Sequence, residues 1–164
     1  MKLLLKGGTV VSAAGSKIAD LLIEDEKIVR VGPDLTDAEA KVVPMEGKLL
    51  FPGFIDAHTH FDLDVCNTTT ADNFDTGTRS ALRGGTTMVV DFACPNKGET
   101  LQYGLDLWHK KADGRSSCDY SFHMTIDDWN DEIKAEVPKM FEQGISSFKM
   151  YMTYPARSEE RRVG

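Results

Sequence analysis

The stretch 51–60 reads FPGFIDAHTH, an apolar run behind a Pro-Gly turn that ends in two histidines. His58 and His60 stand at i and i+2, so on an extended strand both imidazoles point to the same face. Two neutral imidazoles converging on one point can bind a divalent metal of the zinc class. The plainer account is a pair of polar side chains at a strand exit. Asp56 and Asp62 flank the pair and could orient the imidazoles as outer partners.

A second stretch, SSFKMYMTYP at 146–155, places Lys149 in an apolar and aromatic run, where a charged ammonium is expensive. Burial depresses a lysine's pKa and favours its neutral, nucleophilic amine. Such an amine can take up carbon dioxide as a carbamate, whose two oxygens can bridge two metals. A snorkelling or ion-paired lysine is the plainer alternative. Tyr154, five residues on, could offer its phenol as a hydrogen-bond donor or could be a packed aromatic.

The remaining candidates are weaker. His109 lies beside Lys110 and Lys111, which suits a solvated helix face. His123 lies in the alternating run DYSFHMTI and is expected to face the interior of the fold, as a ligand or as a hydrogen-bonded core histidine. Cys66, Cys94 and Cys118 are odd in number and form no CxxC pair. They read as buried or loop residues rather than thiolate ligands.

These side chains need elements to hold them. Residues 2 to about 50 read as short strands, at 3–5, 9–11, 21–24, 27–31, 41–43 and 48–51, punctuated by pairs such as Gly7-Gly8 and Glu46-Gly47. This is a small β-sandwich or barrel part. After Pro52-Gly53 strands are predicted to start near 54, 87, 119 and 146. Helices are predicted over 71–83, 100–112 and 130–142, the last interrupted at Pro138. A βα unit repeating about every 30 residues implies a parallel sheet with helices packed outside it. An open doubly wound sheet and a (β/α)8 barrel both fit. The absence of a GxGxxG or Walker-type loop after the first strand weakens a dinucleotide-binding sheet. A complete barrel needs eight units, and the 164 residues hold about four.

Composition adds limits. With 41% hydrophobic and 27% charged residues, the chain has the make-up of an ordinary soluble globular protein. Its net charge of −7 argues against nucleic acid or an anionic membrane as partner. The start, MKLLLKGG, is too short in apolar residues for a signal peptide, and no later run approaches a transmembrane span. A cytoplasmic location is the expectation.

FPGFIDAHTH resembles the metal-binding signature PGxxDxHxH of the amidohydrolase superfamily. With TADNFDTGTRSALRGGTTMVVDF, DYSFHMTI and GISSFKMYMTY, it resembles the dihydropyrimidinase and D-hydantoinase family over residues 1 to about 155. The resemblance implies a TIM-like barrel, of which 53–155 would be the first half. It also implies a small β-sandwich domain to which 1–52 contribute. It implies two divalent metal ions, zinc as the usual occupant, with His58 and His60 on the more buried one and carboxylated Lys149 bridging both. Tyr154 would hydrogen-bond the substrate and stabilise the tetrahedral intermediate. The reaction implied is hydrolysis of a cyclic amide, dihydrouracil or a 5-substituted hydantoin, to an N-carbamoyl amino acid, in a homo-tetramer for full-length members. Dihydroorotases usually carry an arginine two residues after the second histidine, where this chain has Asp62.

The resemblance also implies two more histidine ligands and an aspartate base from later strands. Residues 156–164, ARSEERRVG, do not resemble the family. A half barrel exposes an unpaired strand edge, so the chain alone is expected to be unstable or aggregated and to hydrolyse no hydantoin. Three other readings are weighed: a non-catalytic relative serving as an assembly subunit, an allantoinase-like cyclic amidase, and an unrelated α/β binding module.

Overall fold

The computed structural model describes residues 1–65 and 67–152, which form two compact units meeting at Pro52 and Gly53. The first holds five strands, β1 (Lys2–Ser12), β2 (Gly15–Glu24), β3 (Lys27–Gly32), β4 (Lys41–Pro44) and β5 (Leu49–Leu50). They form one sheet in the order β3-β2-β1-β4, with β5 also paired to β1. β1, β2 and β3 pair antiparallel, whereas β4 and β5 run parallel to β1. Leu4, Ala19, Leu21 and Leu22 are its buried apolar residues.

Gly7-Gly8 does not end a strand, as the sequence pattern predicts. β1 runs through the pair on a bulge in which Lys6 and Gly7 stand against the single residue Asp20. Gly7 takes φ +75°, a conformation that glycine adopts at no steric cost. The buried Asp20 carboxylate fastens the bulge, accepting from Gly7 N (2.8 Å), Lys6 Nζ (2.9 Å) and Leu35 N (2.9 Å). These donors, the Lys6 ammonium foremost, hold its carboxyl below the ordinary aspartate range.

The second unit alternates strands and helices. β6 (Phe54–Thr59) is followed by a small hairpin, β7 (Asp64–Val65) and β8 (Thr68–Thr69), which the sequence pattern does not suggest. Then come α1 (Phe74–Arg83), β9 (Thr86–Ala93), α2 (Leu101–Ala112), β10 (Asp119–Thr125), α3 (Asp131–Glu142) and β11 (Phe148–Lys149). The four main strands are parallel in the order β6-β9-β10-β11. A doubly wound sheet reverses its strand order at a switch point. Here the order never reverses, which is the progression of a (β/α)8 barrel.

Side-chain caps set the helix starts. Asn73 Oδ1 accepts from Asp75 N and Thr76 N, both at 2.9 Å, while Thr76 Oγ1 accepts from Asn73 N (3.2 Å). This reciprocal cap starts α1 at Phe74, three residues later than periodicity alone suggests. Thr100 and Asn130 cap α2 and α3 without the reciprocal bond, accepting from Tyr103 N and Ile133 N. α3 runs unbroken through Pro138, contrary to the predicted interruption. Its buried Ile133 and Met140 lie on either side of the proline in the core, and that packing offsets the lost backbone bond. The core joins these residues to Phe74, Leu101, Leu105, Trp108, Phe122 and Met124.

Candidate metal centre

The sheet's carboxyl end gathers the residues singled out by their chemistry. β6 ends at Thr59, so His58 is on its last turn of pleat and His60 just beyond. Their ring centroids are 5.1 Å apart and nearly perpendicular. β9 supplies Phe92, one residue before its end, with its ring in the middle of the group. Its centroid lies 4.6 Å from that of His58, 4.9 Å from His60 and 4.7 Å from His123. Lys149, the last residue of β11, places Nζ 4.3 Å from the same ring centre. Two strand-end histidines and the lysine thus converge on one aromatic floor, itself only 6% exposed.

His60 has the properties of a ligand. Its Nδ1 is buried and has no hydrogen-bond partner, an arrangement that costs free energy unless another group fills the position. Burial, then the Lys149 charge, then that of His58, lower its pKa and favour the neutral ring that metals bind. Two imidazoles and an amine able to become a carbamate form a nitrogen–oxygen donor set suited to zinc-class ions. Among the described residues no group of three or more His, Cys, Asp or Glu side chains stands ready to hold a metal. Any such site therefore needs Lys149 or residues outside this set.

His123 is a brace. Ala57 O can only accept, so His123 Nε2 carries the proton and donates to it at 3.0 Å. Nδ1 then accepts from the Ser147 hydroxyl. Both nitrogens are engaged, as in the hydrogen-bonded alternative, though the ring is half-buried rather than in the core. His109 sits on α2, 3.5 Å from Asp113 and against the ring of Phe122. Asp113 also accepts from Tyr120, whose phenol is pushed up to about 12 by burial and by that carboxylate.

Asp56 and Asp62 do not orient the imidazoles. Asp56 accepts from the His58 backbone N–H (3.1 Å), and Asp62 takes φ +49° with its carbonyl held by Lys111 Nζ at 2.6 Å. Cys94 and Cys118 are half-buried and form no disulfide. Tyr154 and Cys66 lie outside the described residues.

Sequence reasoning passes over Asp91 and Phe92. Alternation along TMVVDFA sends them to opposite faces of β9. Phe92 faces the histidines, and Asp91 faces helix α2, where Trp108 Nε1 donates to it at 2.9 Å. Burial holds the Asp91 carboxyl above the ordinary range, against the lowering effect of its hydrogen bonds. An acid inside an otherwise apolar strand is the signal that marks it.

The chain is similar to known proteins over most of its length. A family model described as "Amidohydrolase family" matches residues 49–114. The chain is 44% identical over 155 residues to a D-hydantoinase of Geobacillus stearothermophilus, covering 94% of this chain and 33% of that protein. It is 40% identical over 159 residues to a dihydropyrimidinase of Rattus norvegicus, covering 93% and 31%. The crystal structure of a dihydropyrimidinase from Brevibacillus agri superposes with a TM-score of 0.92 at 44% identity, over 94% of this chain and 34% of that one. The chain spans about a third of the length of the curated relatives it matches.

Proposed function

We infer that this chain, which groups with the D-hydantoinases and dihydropyrimidinases of the amidohydrolase family, carries one side of a metal-dependent cyclic-amide hydrolase site. The observation behind this reading is the buried, partnerless Nδ1 of His60 within the group formed by His58, His60 and Lys149. His58 and His60 would hold one divalent ion, zinc by the resemblance, and Lys149 as its carbamate would bridge to a second. When bound, such ions lower the pKa of water and polarise a carbonyl.

Two further residues of this chain have roles in that reading. Phe92 provides an apolar floor beneath the imidazoles. It also stacks on Lys149, whose amine would add carbon dioxide only after losing its extra proton, and would release a second proton as the carbamate anion forms. Tyr154 would donate its phenolic hydrogen to the oxygen of the attacked ring carbonyl, an interaction worth about 3 kcal/mol in comparable sites. The overall change adds water across the ring C–N bond of a dihydropyrimidine or 5-substituted hydantoin, which opens to an N-carbamoyl amino acid.

A cytoplasmic location and a homo-tetramer for the full-length protein accompany this reading. No helix among the described residues is long and apolar enough to cross a membrane. Retention of the histidine pair and the lysine favours a metal enzyme over a non-catalytic assembly subunit. Zinc affinity, measured by equilibrium titration for the wild type, His58→Ala and His60→Ala, tests the reading. Both variants should bind zinc more weakly than the wild type, and unchanged affinity in either would sink it.

A further inference from the structure

Asp91 is fully buried, and the hydrolytic reading assigns it nothing. Its four partners are uncharged donors. Oδ2 accepts from Thr59 Oγ1 (2.8 Å) and Phe61 N (2.9 Å), while Oδ1 accepts from Phe92 N (2.8 Å) and Trp108 Nε1 (2.9 Å). Burying a carboxylate with no cation beside it costs desolvation energy that its hydrogen bonds must offset, so the core alone would be served as well by a packed apolar residue. Its partners explain why it is there. Thr59 and Phe61 are the residues on either side of His60.

We propose that Asp91 is the positioning residue of the histidine pair, tying the end of β6 through one oxygen to the α2 and β9 framework held by the other. The proposal rests on the reading of His58 and His60 as metal ligands. Thr59 points away from the face shared by the two imidazoles, so the carboxylate grips the strand from behind without touching either ligand. Two attachments flanking His60 fix the height and the twist of the strand exit. Helix α2 adds another hold one turn along, because Lys111 stacks 4.1 Å from the Trp108 ring centre and donates to Asp62 O. Asparagine cannot replace the aspartate, since whichever way its amide turns, the NH2 group meets donors on one side.

The test titrates Zn2+ against a chromophoric chelator into the 164-residue chain, or into the full-length protein that contains it where the chain alone aggregates, and records the metal-free melting temperature of each variant. Thr59→Val should weaken Zn2+ binding about tenfold and Asp91→Asn up to a hundredfold, the range seen when outer partners of metal ligands are removed. Thr59→Ser, which keeps the hydroxyl, should bind as the wild type does. Lowered melting temperature with wild-type Zn2+ affinity in Thr59→Val would mean a merely structural role and overturns the proposal, and that variant decides alone if Asp91→Asn does not fold. His58→Ala separates the two layers of inference. Lost binding there, with wild-type affinity in Thr59→Val and Asp91→Asn, overturns only the Asp91 role. Wild-type binding in His58→Ala overturns the metal reading and this proposal with it.

Discussion

His123 on β10 donates from Nε2 to the carbonyl oxygen of Ala57 on β6, 3.0 Å away, across the intervening strand β9. Ala57 immediately precedes His58, and the other His123 nitrogen meets Ser147, two residues before Lys149. One imidazole therefore connects both segments that carry the candidate ligands. His123→Phe keeps a ring on Phe92 but removes both hydrogen bonds. It should destabilise the fold by about 1–3 kcal/mol, read from urea unfolding. Zinc stoichiometry should survive, and its loss would instead make His123 a ligand.

Gly77 allows α1 to approach the residue that follows the histidine pair. A Cβ built there would stand 2.2 Å from Phe61 Cε1, and Phe61 also packs edge-on against Phe74 at 5.3 Å. Gly77→Ala gains about 1 kcal/mol of helix propensity. Overpacking against the half-buried Phe61 ring costs about 1–3 kcal/mol. The clash should win, giving a lower melting temperature and a changed amide shift for Phe61 in nuclear magnetic resonance spectra. A melting temperature above the wild type's would show that Phe61 yields freely.

The βα rhythm from residue 53 and the HxH pair were legible because each depends on local pattern: turn residues, alternation and the i, i+2 rule. The barrel progression was open in the sequence, since strand order depends on which neighbours pair, and the structure decides it through β6-β9-β10-β11. Asp91 was hidden because its role is made by residues 17 to 32 positions away, Trp108 and Thr59. Gly7-Gly8 reads like a turn until Asp20, across the sheet, turns it into a bulge. Pro138 fails as a helix breaker for the same reason, since tertiary packing outweighs a local penalty.

Asp20 makes the first unit sensitive to acid. Its carboxyl is held below the ordinary value of 3.8, so folding favours the ionised form. The contribution is complete above that ordinary value and is lost as pH falls through the lower, folded-state value. The protection of the Gly7 and Leu35 amides against hydrogen exchange, taken relative to the intrinsic exchange rate at each pH, should fall over that window. Asp20→Asn should be less protected at neutral pH and should lose the acid-dependent step. An identical acid profile in the variant would place the titrating group elsewhere.

Lys149 separates a structural cation from a metal bridge. The ammonium packs 4.3 Å from the Phe92 ring centre and 5.3 Å from that of Tyr151, and it makes no ion pair among the described residues. A structural lysine could be replaced by arginine, whose planar cation stacks at least as well on an aromatic face. A bridging lysine could not, because a guanidinium stays charged at any working pH and forms no carbamate. The sequence holds four histidines, and His109 and His123 are engaged with Asp113 and with Ala57 and Ser147. The 164 residues alone should therefore bind zinc weakly and turn over no hydantoin. Their zinc affinity should nonetheless rise with dissolved bicarbonate. Labelled bicarbonate should give a carbamate carbon resonance that Lys149→Arg abolishes together with the bicarbonate dependence. Wild-type zinc affinity and bicarbonate response in Lys149→Arg would reduce Lys149 to a packing residue and leave the histidine pair as the metal-binding surface among the described residues.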